Sequence, residues 1–477
     1  MSAALRMGPV LILRGVDQES LRLCALTVTD RPEPPGELAT SEGERFSPER
    51  LLSRCGRVLW RTEFAVPASG RTSYGIAGRS HEIVAPQEDP RILFTACNGA
   101  EDPTELPADP ERTDPWRTIA ASHAREPFHL LIQGGDQIYA DQVWHAHPAL
   151  APFRTRRTRA AGAAYDAAMD EEVRDQYFRL YMEAWADPEI APILASVPSV
   201  MIWDDHDIFD GWGSWGPELQ DSAVYQGLFR AARDSFAAFQ LGVRTDERLP
   251  DAFLDPKGNH FAWLYRIGGV AVWAPDLRSE RSRSQVMGEA GWRDVHAALK
   301  RARGCEHLFV VSSVPLLNTP LRGLERLHVA LPGHQYFQDD LRDQWQSFAH
   351  AAEWARFTES LLRFKRETRA RVTVLSGEIH MGARGVLTAP EGRIHQLTSS
   401  GVVHPPPPPL VARLMGLLSP RGWRISPRAR FRMERVPGFG RRYLDERNWL
   451  SLEPKGLGYE AIWHAERTGD GIPLTLD

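Results

Sequence analysis

Acidic, histidine and cysteine side chains gather at a few places along the 477 residues, each just after a short apolar run. Cys97 closes ILFTAC. Asp136, Tyr139 and Asp141 fall in GGDQIYAD, Asp204, Asp205, His206 and Asp210 in WDDHDIFDGW, and Glu378 and His380 in LSGEIHMG. If each run is a strand, these groups converge on one edge of a sheet. Two cations about 4 Å apart need such a set, with one carboxylate shared between them, other ligands on each side and an open position for water. That centre makes a hydroxide nucleophile near neutral pH and clamps the oxygens of a phosphate. Taken singly the same residues are ordinary. An isolated cysteine is usually a small buried apolar group, and a lone aspartate or histidine caps a helix or satisfies a core donor.

The elements that must hold these groups read as an α/β protein. Near-continuous apolar runs recur at ILFTAC, FHLLIQGG, VPSVMIWDD, GVAVWAPD, HLFVVSS and VTVLSGE. Helical stretches at 173–185, 226–241 and 351–366 lie between several of them. Apolar strands alternating with helices imply a buried sheet covered on its faces, with ligands beyond the strand ends. Residues 1–88 differ: VLILRGV, LRLCALTV and RVLWRTEFAV are short runs separated by turns, the signature of a small all-β module. After Gly401 come a proline run at 405–409, the amphipathic stretch LVARLMGLL and an arginine-rich segment, with NWLSLE and YEAIWHAE as a closing pair of strands.

Composition removes whole classes. Apolar residues make up 42% and charged residues 25% of the chain, which excludes a disordered or fibrous protein. A net charge of −5 leaves no bulk electrostatic grip on nucleic acid. The four cysteines form no CxxC pair, so neither a zinc ribbon nor a disulfide framework is expected. No apolar run is long enough to span a bilayer, and neither a signal peptide nor a twin-arginine motif is seen. The expectation is a cytoplasmic protein.

FTACN, GDQIYAD, WDDHD, APDLRS, LSGEIH and LTSSG together resemble the PhoD-like alkaline phosphatases and phosphodiesterases of the calcineurin-like metallophosphoesterase superfamily. The resemblance covers residues 89–401. It implies a four-layer α/β/β/α sandwich preceded by a small all-β domain, and hydrolysis of phosphodiesters, phosphomonoesters or both by a metal-held hydroxide. Carried over by position, it makes Asp136 the bridging ligand. Cys97 and Tyr139 bind one metal as thiolate and phenolate, and Asp205, Glu378 and His380 complete the set. His206 assists the leaving oxygen, and Arg278 contacts phosphate. Asp141, Asp204 and Asp210 support the ligands from behind, and His404 lines the substrate pocket. The implied metals are Fe(III), which suits a phenolate, and Ca2+, which prefers oxygen ligands; Mn, Zn or Mg are alternatives. Two departures stand out: Glu378 replaces the family's usual aspartate, and Asp210–Gly211 replaces the Asn-Asn that often follows the D-D-H motif.

The expected division is an N-terminal β-sandwich-like domain at 1–88, a catalytic domain at 89–401 and an extension at 402–477 that packs back on it. The expected partner is a small phosphate ester. A competing expectation is a catalytically silent binding protein on the same fold, contacting nucleic acid or anionic lipid through the arginine-rich segment 413–442.

Overall fold

The computed structural model describes residues 4–101, 109–320, 343–419 and 422–477. Two large sheets carry the architecture, one of eleven strands and one of nine, with a four-stranded sheet beside them. In the first, Ile92–Thr95, Leu130–Gln133 and Ser199–Met201 run parallel. In the second, Val270–Ala274, His307–Val311, Arg371–Ser376 and Gly392–Thr398 run parallel. These strands are buried along almost their whole length, as the apolar runs require.

The sheets face each other across a shared core. Leu93, Leu131 and Trp463 of the first meet Phe309, Val311 and Leu397 of the second in one apolar cluster. Polar stitches cross the same gap: the Trp463 indole donates to the Thr398 carbonyl at 2.9 Å, and the Trp263 indole to Met201 at 2.7 Å. Helices Ala167–Trp185 and Ala223–Gln240 pack on the first sheet's side, and Glu289–Arg301 and Ala351–Thr368 on the outer face of the second. The result is the expected α/β/β/α layering. The helices start where capping chemistry allows: Asp166 accepts from the Met169 amide and Ser222 from the Tyr225 amide.

The N-terminal region is all-β, but its first strands are not set apart. Leu5–Val16 pairs in parallel with Ser199–Met201, and Ser20–Thr29 and Arg57–Pro67 continue outward from it. At the opposite edge Asn448–Lys455 pairs with Ile92–Thr95 and forms a hairpin with Gly458–Ala465. The three-part division expected from the sequence therefore runs across continuous hydrogen-bonded sheets. Of the arginine-rich segment, residues 420 and 421 lie outside the described residues; Arg430–Glu434 adds a strand to the second sheet.

Candidate metal centre

Every chemistry-bearing cluster sits just past the carboxyl end of a parallel strand. Cys97 follows Ile92–Thr95, Asp136 follows Leu130–Gln133, and Asp204 to Asp210 follow Ser199–Met201. Arg278 follows Val270–Ala274, Glu378 and His380 follow Arg371–Ser376, and Ser400 and His404 follow Gly392–Thr398. The turns are tight. Cys97, Asp136, Glu378 and His380 are four of the seven non-glycine residues with positive φ among those described. Side chains avoid that region unless the surroundings impose it, and such residues collect at functional sites. Two glycines permit the crowding: a Cβ on Gly135 would lie 2.8 Å from that of Asp204, and one on Gly377 2.5 Å from that of Ala96.

Four donor groups with ligand atoms within 4.8 Å of one another occur among the described residues: Glu101, His380 and His404; Asp205, His206 and Asp210; and two that share a carboxylate, a first of Cys97, Asp136 and His380 and a second of Asp136, Asp204 and Asp205. Asp136 belongs to both. The Tyr139 hydroxyl joins the first group, 3.0 Å from His380 Nε2, and Cys97 Sγ lies 3.3 Å from Asp136 Oδ2. Asp204 was expected only behind the ligands; here it stands within the second group. Glu378 lies outside both of these groups but lines the cavity beside them, and its buried Oε2 has no hydrogen-bond partner among the described residues.

The electrostatics call for cations. Burial, then the Asp204 charge, pushes Asp136 well above the carboxylate range. Burial, then Asp343, does the same to Glu378. The Cys97 thiol and Tyr139 phenol are likewise pushed up, first by burial and next by Asp136 and Cys97 respectively. His380 is held neutral, far below its usual value, by burial and by His404. So many anionic or anionisable groups in one buried place are ionised only beside positive charge, and a bound metal reverses these shifts. The orphaned Glu378 oxygen, the mixed S, O and N donors on one side and the all-oxygen donors on the other fit two different metal ions.

His206 is oriented from behind. Its Nδ1 donates to Asp141 Oδ2 at 2.8 Å, and its ring stacks on Tyr139 with centroids 4.3 Å apart. Burial disfavours its cation, but Asp141 and Asp205 outweigh burial and raise its pKa well above the usual value. Asp141 also accepts from the Asp210 amide. Asp210 pairs with Arg157 at 2.6 Å, which offsets the extra charge where the family often has asparagine.

Arg278 departs from its expected role. Its side chain is fully buried, donating through Nε to Asp204 and reaching Asp205 at 3.2 Å and Asp343 at 2.7 Å. A guanidinium committed to three carboxylates beneath the site does not present itself to phosphate; it neutralises and aims those carboxylates instead. His404, expected to line the substrate pocket, is not among the residues that line the cavity; it stacks on His380 with centroids 3.4 Å apart, and its Nε2 lies 2.9 Å from Glu101, which does line it.

Sequence reasoning passed over four further residues. Glu101 follows Cys97 in the same loop, and that proximity was a usable signal. Asp207, the last acid of WDDHD, is buried and accepts from the amides of Asp136, Gln137 and Asp204. Arg157 and Asp343 come from connections with no strand-end signature. A cavity of about 520 Å³ opens against part of this set, with Asp136, Asp205, His206, Asp343, Glu378 and His380 among its lining residues. The lining also includes the apolar residues Ile379, Met381, Pro407, Val411 and Met415.

A family model described as PhoD related phosphatase matches residues 112–333. A protein of Saccharomyces cerevisiae described as uncharacterised is 23% identical, over 75% of this chain and 60% of that protein. The chain thus spans about 60% of the length of the curated relative it matches. The structure of PhoD superposes with a TM-score of 0.57 at 12% identity, covering 100% of this chain and 92% of the other. A purple acid phosphatase from seeds of yellow lupin, Lupinus luteus, gives 0.54 at 11%, covering 98% and 73%. Those two likenesses establish a metallophosphoesterase fold. The PhoD related phosphatase match covers residues 112–333, less than half of the chain, and agrees with that fold.

Proposed function

We propose that the protein is a metal-dependent hydrolase of phosphate esters, with diesters preferred over monoesters. The observation that carries this is Asp136 standing in two donor groups at once, at the mouths of parallel strands and at the wall of one cavity. Cys97, Tyr139, His380 and Asp136 would hold one ion, for which Fe(III) suits the thiolate and phenolate donors. Asp136, Asp204, Asp205 and Glu378 offer oxygen alone and would hold Ca2+ or another oxygen-seeking cation. When bound, the pair supplies an activated water and charge to offset that developing on phosphate oxygens.

The chain's own residues do the rest. Asp141 fixes the His206 ring and keeps a proton on Nδ1, which leaves Nε2 to protonate the departing alkoxide. Arg278 aims Asp204 and Asp205 from below. The apolar wall from Ile379 to Met415 excludes water and accommodates a second ester substituent, which is why a diester is preferred. Initial rates on bis(4-nitrophenyl) phosphate and 4-nitrophenyl phosphate, beside the metal content of wild type and Asp136→Ala, test the reading. Turnover that the variant loses together with its metals supports it; metal-loaded protein without turnover on either ester overturns it.

A further inference from the structure

The helix Pro409–Leu418 has two faces with different surroundings. Val411 and Met415 turn inward and help wall the catalytic cavity. Leu410, Leu414, Leu417 and Leu418 are 64, 49, 73 and 55% exposed. At 3.6 residues per turn these four fall on one side, and Arg413, also exposed, sits among them. They account for four of the seven large exposed apolar residues among those described, gathered on about 15 Å of helix. Isolated exposed leucines need no explanation, but a contiguous patch marks a contact surface.

Charge decides what the surface contacts. The helix carries no carboxylate, and residues 409–442 hold nine arginines against the single acid Glu434. Arg424, Arg428, Arg430, Arg432 and Arg435 are exposed in the segment that follows the helix. A protein partner with an apolar patch would not need this excess. A short helix with leucines on one face, an arginine among them and more arginines nearby matches an interface of acyl chains beneath anionic headgroups. Arg413 can keep its guanidinium at phosphate level while its stem lies with the leucines.

We propose that Pro409–Leu418 docks on the surface of an anionic phospholipid bilayer, which holds the cavity mouth at the headgroup level. The ester taken into the cavity is then that of a lipid headgroup; this second part rests on the phosphoesterase reading, and the docking does not.

The test is co-sedimentation of the full chain with vesicles of phosphatidylcholine alone and with one-third phosphatidylglycerol, at low and high salt. The expected result is binding to the mixed vesicles that falls with salt. Leu414→Asp with Leu417→Asp should weaken it at least about tenfold, and Arg413→Glu should weaken it as well. Rates on the soluble diester should stay unchanged in the leucine variant, which also shows that it folds. Failure to bind mixed vesicles, or equal binding by the double variant, overturns the docking. Preference for a single-stranded oligonucleotide over vesicles overturns it too, as does self-association in solution that the leucine changes abolish. Vesicle binding by a protein that hydrolyses no ester leaves docking intact and sinks the phosphoesterase reading; the reverse pattern does the opposite.

Discussion

Asp141 holds the His206 ring while Arg278 holds the carboxylates of Asp204 and Asp205, so their removal should read out differently. Asp141→Asn weakens the charge that holds the His206 ring with Nδ1 protonated. Loss of such supporting contacts typically costs about 10–100-fold, so kcat should fall by that much with metal content unchanged and KM little moved. Loss of metal in Asp141→Asn would make it a ligand instead. Arg278→Met leaves Asp204, Asp205 and Asp343 facing one another in a buried space. Breaking a buried pair by removing one partner costs about 3–5 kcal/mol, so a lower denaturation midpoint is expected; a raised KM at unchanged stability would restore the phosphate-contact role. The site was legible in the sequence where its members are neighbours along the chain, as in GGDQIYAD and WDDHD. Arg278 was legible as important but not in its role, because only the fold shows three carboxylates closing around it. Asp343 and Arg157 were not legible at all, since they reach the site from connections whose path no local pattern dictates.

At the scale of elements, strand ends place the candidate ligands, and one buried carboxylate locks two of their loops to the end of a helix. Asp207 accepts from the amides of Asp136, Gln137 and Asp204, and Gln240 Nε2, at the end of helix Ala223–Gln240, donates to it at 2.8 Å. Burial raises its pKa to about 7, while the Asp204 and Asp136 amides pull the other way. Asp207→Ala leaves these donors without a buried acceptor, at roughly 1–3 kcal/mol for an unsatisfied group. The left-handed turn at Asp136 then loses its anchor. Urea midpoints should drop by that order, and metal content should fall with them although Asp207 is not among the ligand groups; full metal occupancy in a destabilised variant would separate the loop anchor from the site. The strands and helices themselves were largely readable. The helix expected at 226–241 spans Ala223–Gln240, and that expected at 351–366 spans Ala351–Thr368. What could not be read was which strands become neighbours. Leu5–Val16 lying beside Ser199–Met201 is a pairing between segments nearly two hundred residues apart, and periodicity carries no register information over that distance.

Over the whole molecule, the two sheets share the apolar core between them, and a histidine is buried against it. His307, on the second sheet, stacks on Phe309 with centroids 4.1 Å apart and meets Tyr459 of the first sheet edge-on at 5.7 Å. Its Nε2 lies 2.9 Å from Thr373 Oγ1, and its buried Nδ1 has no hydrogen-bond partner among the described residues. Burial, then Arg371 and Lys365, lowers its pKa to about 3. In the unfolded chain the same ring titrates near ~6.5. Above that pH both states are neutral there, and the group contributes nothing to the pH dependence. Below it the unfolded chain takes up a proton that the folded protein refuses, so stability falls by about 1.4 kcal/mol per pH unit from this group alone. His307→Gln keeps a polar atom for Thr373 and removes the titration. Between pH 7.5 and 5 the wild type should therefore lose about 2 kcal/mol more than the variant in urea denaturation. Parallel losses in the two proteins would place the acid sensitivity elsewhere, in the carboxylates of the metal centre or the remaining histidines.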